Sequence, residues 1–300
     1  MQFRFRCYRT PNLGWRYMFA LAGLGALIVW VLRKRMPESP RWLEAVGRLD
    51  EAETALQAIE AETAAQRGPL PPVNQVQNLA VGPVPLSRLF APEMRGRLLA
   101  ASLTVIAVNI SVYGFVAWLP TFLLKQGMTI VQSLGFTTLM SFGSTFGALI
   151  GLLIADRIPR QAAMVGSCVA IIFLGFVYPT LRDPAAATVI GFALVSSIYV
   201  LVTLGLYAYV PELFPTELRL RGTGVAGMCG RAASITTPYL AVILFERFGI
   251  EGVLLMVSGV LACLIAAILL LRIETGRHSL ESILPIPGPE PEPGRAVAGE

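Results

Sequence analysis

The chain has 300 residues, 55% hydrophobic and only 14% charged, with a mean hydropathy of +0.65; soluble proteins carry roughly 25% charged residues. Water would not tolerate so much exposed apolar side chain, which excludes an ordinary soluble protein and indicates an all-α, multi-span membrane protein whose first partner is the lipid bilayer. The 24 basic residues against 19 acidic ones give a charge of +5, but they gather in particular loops, which argues for membrane topology and against a nucleic-acid partner.

In chain order, a basic leader (1–14) runs into the first apolar stretch, 15–32, long enough to cross ~30 Å of hydrocarbon as a helix. The longest polar stretch follows at 33–97. Within it Ser39 and Pro40 can start a helix, and Leu49, Ala52, Leu56, Ile59 and Thr63 share one face, before GPLPP at 68–72 breaks the pattern. This is the signature of a surface-lying cytoplasmic helix and a linker between two halves. Six more apolar stretches, 98–124, 128–155, 162–181, 185–210, 222–245 and 252–271, make 98–271 a six-helix unit and bring the expected spans to seven. The tail, 272–300, ends in a Pro-rich run expected to be disordered.

The Lys/Arg census orients these spans, because positive flanks stay on the cytoplasmic side. Sixteen cations, among them Arg33, Lys34, Arg97, Arg157, Arg160, Arg219 and Arg272, fall on one side, against Lys125, Arg182 and Arg247 on the other. The C-terminal tail is therefore expected inside, in the cell (inner or plasma) membrane. That places Arg4, Arg6, Arg9 and Arg16 on the outer side. The expectation that follows is a leader that is not a native beginning, with upstream helices missing.

Chemistry-bearing residues are few. Cys7, Cys168, Cys229 and Cys263 show no CxxC or metal-type spacing, and the only histidine, His278, has no partner at ligand spacing, so neither a metal nor a cofactor is expected. No HExxH motif, paired intramembrane Asp or Ser/Cys-with-His arrangement argues for an enzyme. The interior of the spans holds no Asp, Glu or Lys; its charge is Arg231, nine residues into the sixth span and ~14 Å from its end. A cation at that depth faces a cavity or a partner, which makes Arg231 a candidate ligand for an anionic substrate group, or a cation that bonds backbone carbonyls and locks the bundle. Asn109 and Tyr113 lie one turn apart in the second span, with Tyr199 and Tyr207 as candidates across a cavity. Gly143, Gly147 and Gly151 recur at four-residue spacing and strip one helix face for close packing.

The loop motifs are the most specific signal. GWRYMF at 14–19, PESPRWL at 37–43, DRIPR at 156–160, PELFPTELR at 211–219 and IETGRHSLESI at 273–283 stand in order at helix ends. Together they resemble the sixth to twelfth helices of the twelve-helix major facilitator superfamily, near its sugar-porter and metabolite:proton symporter branches. The resemblance implies an ionic latch at the cytoplasmic rim, carried by Asp156, Arg157, Arg160, Glu212 and Arg219, with Glu38, Arg41 and Glu274 from the flanking motifs. Pro159 replaces the usual Gly, Glu274 follows Ile273 where Pro is usual, and the Gln pair that normally precedes the Asn109 motif is absent. These departures argue against a hexose porter and, with Arg231, toward an organic acid.

The function implied is secondary active transport of a small polar metabolite, organic acid or sugar-like, coupled to protons by alternating access. Two alternatives stand beside it. One is a truncated, inactive half-transporter that needs a complementary half-chain as partner. The other is a seven-helix ligand-binding receptor; a retinal version is excluded because Lys34 and Lys125 lie in or beside loops, and any receptor leaves the five motifs unexplained.

Overall fold

The computed structural model describes residues 14–34, 36, 38–68, 85–125, 127–181 and 183–271. The leader 1–13, most of the linker at 69–84, and the tail with Glu274 and His278 lie outside the described residues. The chain divides into two compact units, 1–82 and 83–300. Among the described residues every regular element is helical.

In the first unit, α1 (Gly14–Lys34) covers the apolar stretch and places Arg33 and Lys34 in its last turn, where cations complement the helix dipole. The surface helix expected from Ser39 onward is two helices, α2 (Pro40–Ala45) and α3 (Leu49–Arg67). The chain reverses at Gly47, whose φ of 83° is a left-handed conformation that glycine adopts without strain. Leu43 is buried, and Arg48 pairs with Glu51 at 2.6 Å at the start of α3.

The second unit holds the packed bundle. A short 3₁₀ turn (Leu86–Phe90) leads into α4 (Pro92–Gly114), which starts six residues earlier than hydropathy alone suggests because Pro92 at the first helical position is pre-set for helix. The remainder of that apolar stretch is a 3₁₀ turn (Val116–Trp118) and α5 (Leu119–Lys125). The helix α6 (Ile130–Ala155) opens with a capping box between Thr129 and Gln132, then α7 (Arg160–Val177) and α8 (Pro184–Leu201) follow. Past Leu201 the ladder shifts to a π-helix (Val202–Tyr209), with the Val210 N–H bonding the Gly205 carbonyl just before Pro211, which has no N–H to offer. After α9 (Val210–Glu212), α10 runs from Thr216 to Leu271. The stretches expected at 222–245 and 252–271 fall in two helical arms of α10 that meet at a break at Gly249, where φ is 67° and ψ −159°.

Five of these stretches are long and apolar enough to cross a membrane: Pro92–Lys125, Ile130–Ala155, Arg160–Thr180, Pro184–Glu212 and Leu218–Leu271. The closest packing joins α4 to α10 and α6 to α8. At the end where α7 finishes, aromatic rings tie the bundle together: Phe115 meets Tyr178 edge-on at 5.5 Å and Phe122 stacks on Phe245 at 5.0 Å. The opposite end, where α7 begins, is held by ions.

Candidate functional site

The ionic end starts from three short connections. DRIPR joins α6 to α7, with Asp156 as the last cap of α6 and Arg160 as the first residue of α7. PELFPTELR joins the π-helix to α10, and Glu212 ends α9. The structure brings Arg160 and Glu212 together, Nη2 to Oε1 at 2.7 Å, with the side chains only 15% and 23% exposed. Partial removal from water strengthens such a pair over a surface ion pair. Among the described residues the second carboxylate oxygen of Glu212 is buried with no hydrogen-bond partner, as is Nε of Arg160, so this end of the bundle keeps polar capacity that a rearranged set of partners can use.

The other latch candidates are placed differently. Asp156 and Arg157 are exposed beside the pair. Arg219 lies one turn into α10 and lines an open cavity of about 390 Å³ together with Val105, Leu206, Pro211 and Thr223. Glu38 is exposed in the first unit, the Arg41 side chain is outside the description, and Glu274 lies outside the described residues. A cation that the sequence reading counted only as topological also belongs to this end: Arg97 donates from Nη1 to the carbonyl of Leu213, 3.1 Å away and adjacent to Glu212. The signal for it is periodic. With α4 starting at Pro92, Arg97 shares a face with the buried Ala101, Thr104 and Val108.

Deeper in the bundle, Asn109 donates from Nδ2 to the Val105 carbonyl of its own helix at 2.8 Å. It stands against Gly230, where an added Cβ would lie 2.8 Å from Asn109 Nδ2 and collide with Val105 Cγ1. Gly230 therefore lets α10 approach α4 at Asn109. Arg231 is exposed, on a stripe of α10 with Gly224, Met228 and Ile235, and its side chain makes no hydrogen bond or ion pair with any described residue. It lies ~22 Å along α10 from Thr216. Two turns beyond, Pro238 interrupts the ladder, and in between the Ser234 and Thr237 hydroxyls bond carbonyls at Arg231 and Ala233.

Tyr113 is 37% and Tyr207 71% exposed, whereas Tyr199 is half-buried against the core. No side-chain hydrogen bond joins these tyrosines to Asn109 or Arg231 among the described residues; what the structure shows is Asn109 against Gly230, with Arg231 on the exposed side of the same helix as Gly230. Gly143, Gly147 and Gly151 all face α8 and the π-helix after it: an added Cβ would meet the Phe192 carbonyl at 2.6 Å, the Ser196 carbonyl, and Thr203 Cβ at 2.8 Å, respectively.

The sequence that builds these helices and this ion pair matches a known family. The family model for sugar (and other) transporters matches residues 2–286. The chain is 37% identical to the Escherichia coli protein YdjK over 277 residues, 91% of this chain and 60% of that protein. It is 36% identical to the inner membrane metabolite transport protein YdjE of the same organism, covering 90% and 61%. The niacin transporter NiaP of Acinetobacter baylyi is 30% identical over 288 residues, covering 91% and 62%. The chain thus spans about 60% of the length of the curated relatives it matches. Its several apolar helices and its relatives agree on a multi-pass membrane protein, and the chain belongs to the sugar (and other) transporter family of the major facilitator superfamily.

Proposed function

We propose that this chain serves secondary active transport of a small polar metabolite by alternating access, with the Arg160–Glu212 pair as part of a latch on the cytoplasmic rim. The observation that carries this reading is the pair itself: two half-buried ions from different helix ends, 2.7 Å apart, beside a buried carboxylate oxygen without a partner. Ions so placed stabilise one closed arrangement and can be exchanged for others when helices rock. In this reading α1 and the two arms of α10 on either side of Gly249 complete seven spans, equivalent to helices 6 to 12 of the family fold, with the C-terminal tail in the cytoplasm.

The exposed stripe of α10 bearing Arg231 cannot face hydrocarbon without a large cost. It lines the transport cavity, whose other wall comes from a complementary half. Arg231 would hold the anionic group of the substrate, with Asn109 beside it and Tyr113 and Tyr207 on neighbouring helices. An anionic substrate agrees with niacin, a carboxylic acid, as the solute named for one relative. Proton coupling draws support from the arabinose-proton symporter of Bacillus subtilis, 28% identical over 285 residues.

The test is Glu212→Gln in the complete transporter. A cysteine placed at Tyr239, exposed near the far end of the first arm of α10, is labelled from outside by an impermeant maleimide in a background without the native cysteines. Weakening the latch lowers outward-facing occupancy, so labelling slows severalfold. Equal labelling rates, with and without the substitution, remove Glu212 from the latch.

A further inference from the structure

The turn between α9 and α10 is short, and its backbone needs partners. Glu212 ends one helix and Thr216 begins the next. Leu213, Phe214 and Pro215 between them are buried, so carbonyls that leave the helical ladder there have no water to accept from. The Leu213 N–H bonds the Tyr209 carbonyl at 3.2 Å, while the Leu213 carbonyl accepts from Arg97 of α4. On the other side of the turn the Phe214 ring lies under Gly222, where an added Cβ would come within 2.6 Å of the ring carbon Cε1. The residue on the N-terminal side of Leu213 is Glu212, held by Arg160 of α7.

Three helices therefore grip one tripeptide: α4 through Arg97, α7 through Arg160 and α10 through the Phe214–Gly222 contact. A charged donor on a buried carbonyl is stronger than a neutral one and fixes the peptide plane. That plane is the Leu213–Phe214 peptide, so the bond anchors to α4 the backbone next to Glu212 and limits how far the base of its side chain can move. We propose that Arg97 is a positioning residue of the latch, holding the Leu213 carbonyl so that Glu212 meets Arg160. The proposal rests on the reading of that pair as a latch. It also ties the latch to α4, the helix that carries Asn109 against Gly230, so opening at the ionic rim is transmitted to the wall of the cavity.

A triple-mutant cycle on the full chain in detergent micelles tests this. The coupling between Arg160→Gln and Glu212→Gln is measured by equilibrium unfolding with Arg97 present and again with Arg97→Gln. The expected coupling is about tenfold in the unfolding equilibrium constant with Arg97 present, falling by more than half on the logarithmic scale with Arg97→Gln and largely restored by Arg97→Lys, which keeps a charged donor. A coupling that stays the same in the Arg97→Gln background overturns the proposal and leaves the latch reading standing. A coupling absent in both backgrounds overturns the latch pair and the proposal with it. Should Arg97→Gln fail to fold, Arg97→Met keeps the apolar stem without the donor and is read by the same cycle.

Discussion

Replacing Gly147 by alanine should push α6 away from α8. The new methyl would collide with the Ser196 carbonyl oxygen, with the carbonyl carbon at 2.8 Å and Cα at 2.9 Å, whereas carbon atoms pack at about 3.5–4.0 Å. Because these obstacles are backbone, no rotamer change relieves them, and the helices must part by on the order of 1 Å along a contact built on small residues. Overpacking of this kind costs about 1–3 kcal/mol, offset in part by the ~1 kcal/mol that alanine gains over glycine in a helix. Gly166 in α7 supplies the control: it is exposed, nothing lies within 4 Å of its added Cβ, and alanine there gains the helix preference without a collision. Unfolding of the purified chain in micelles should place Gly147→Ala about 1–3 kcal/mol below Gly166→Ala. Gly143, which meets the Phe192 carbonyl at 2.6 Å, should follow Gly147, and Gly151, which meets the movable Thr203 side chain, should cost least. Equal stabilities for Gly147→Ala and Gly166→Ala would refute backbone contact as the reason for the glycine stripe.

Three further outcomes are expected. In the complete transporter Arg231→Gln should abolish uptake of a carboxylated solute and Arg231→Lys should retain part of it; unchanged uptake with glutamine removes Arg231 from the site. Phe122→Ala, which empties a buried position stacked on Phe245, should destabilise the bundle by about 3 kcal/mol, read by unfolding in micelles, and a loss below 1 kcal/mol would show that the aromatic end is not holding the helices. Gly224→Ala meets nothing within 4 Å in this chain and, like Gly166→Ala, should raise its stability by up to about 1 kcal/mol, yet should slow transport by the complete protein if the exposed stripe of α10 packs or slides against the other half; normal transport rates would place that stripe elsewhere.

What the sequence made legible follows the range of the physics involved. The glycines of α6 stood out because a close helix contact imposes a four-residue spacing that needs no knowledge of the partner, and the partner turned out to be α8. The Arg160–Glu212 encounter was reachable only through the resemblance of DRIPR and PELFPTELR to a family, since 52 residues separate the two and no periodicity links them. Arg97 was hidden by an explanation that was already sufficient: a cation beside an apolar stretch satisfies the inside-positive bias, and the same side chain also answers a carbonyl more than a hundred residues away. Between 245 and 252 charge and backbone agree: Glu246, Arg247 and Glu251 interrupt the apolar pattern, and Gly249 among them leaves helical geometry, so two helices meet there.

The π-helix shows where sequence reasoning stops for a physical reason. Hydropathy treats 185–210 as one uninterrupted span, and Pro211 marks its end without saying how the turns before it are wound. Within the π-helix the backbone is closely approached from two sides: an added Cβ at Gly205 would lie 2.8 Å from Thr104 Cγ2 and 3.5 Å from Met164 Cε, side chains of α4 and α7. The wider winding buries Tyr209 and Val210 and leaves Tyr207 exposed. A regular α-helix from Pro184 would advance about 100° per residue throughout and would carry the following residues, including Glu212, to a different azimuth. The wider winding therefore helps set where Glu212 emerges, so the geometry of the ionic rim depends on a stretch of backbone two turns deeper, closely packed between α4 and α7.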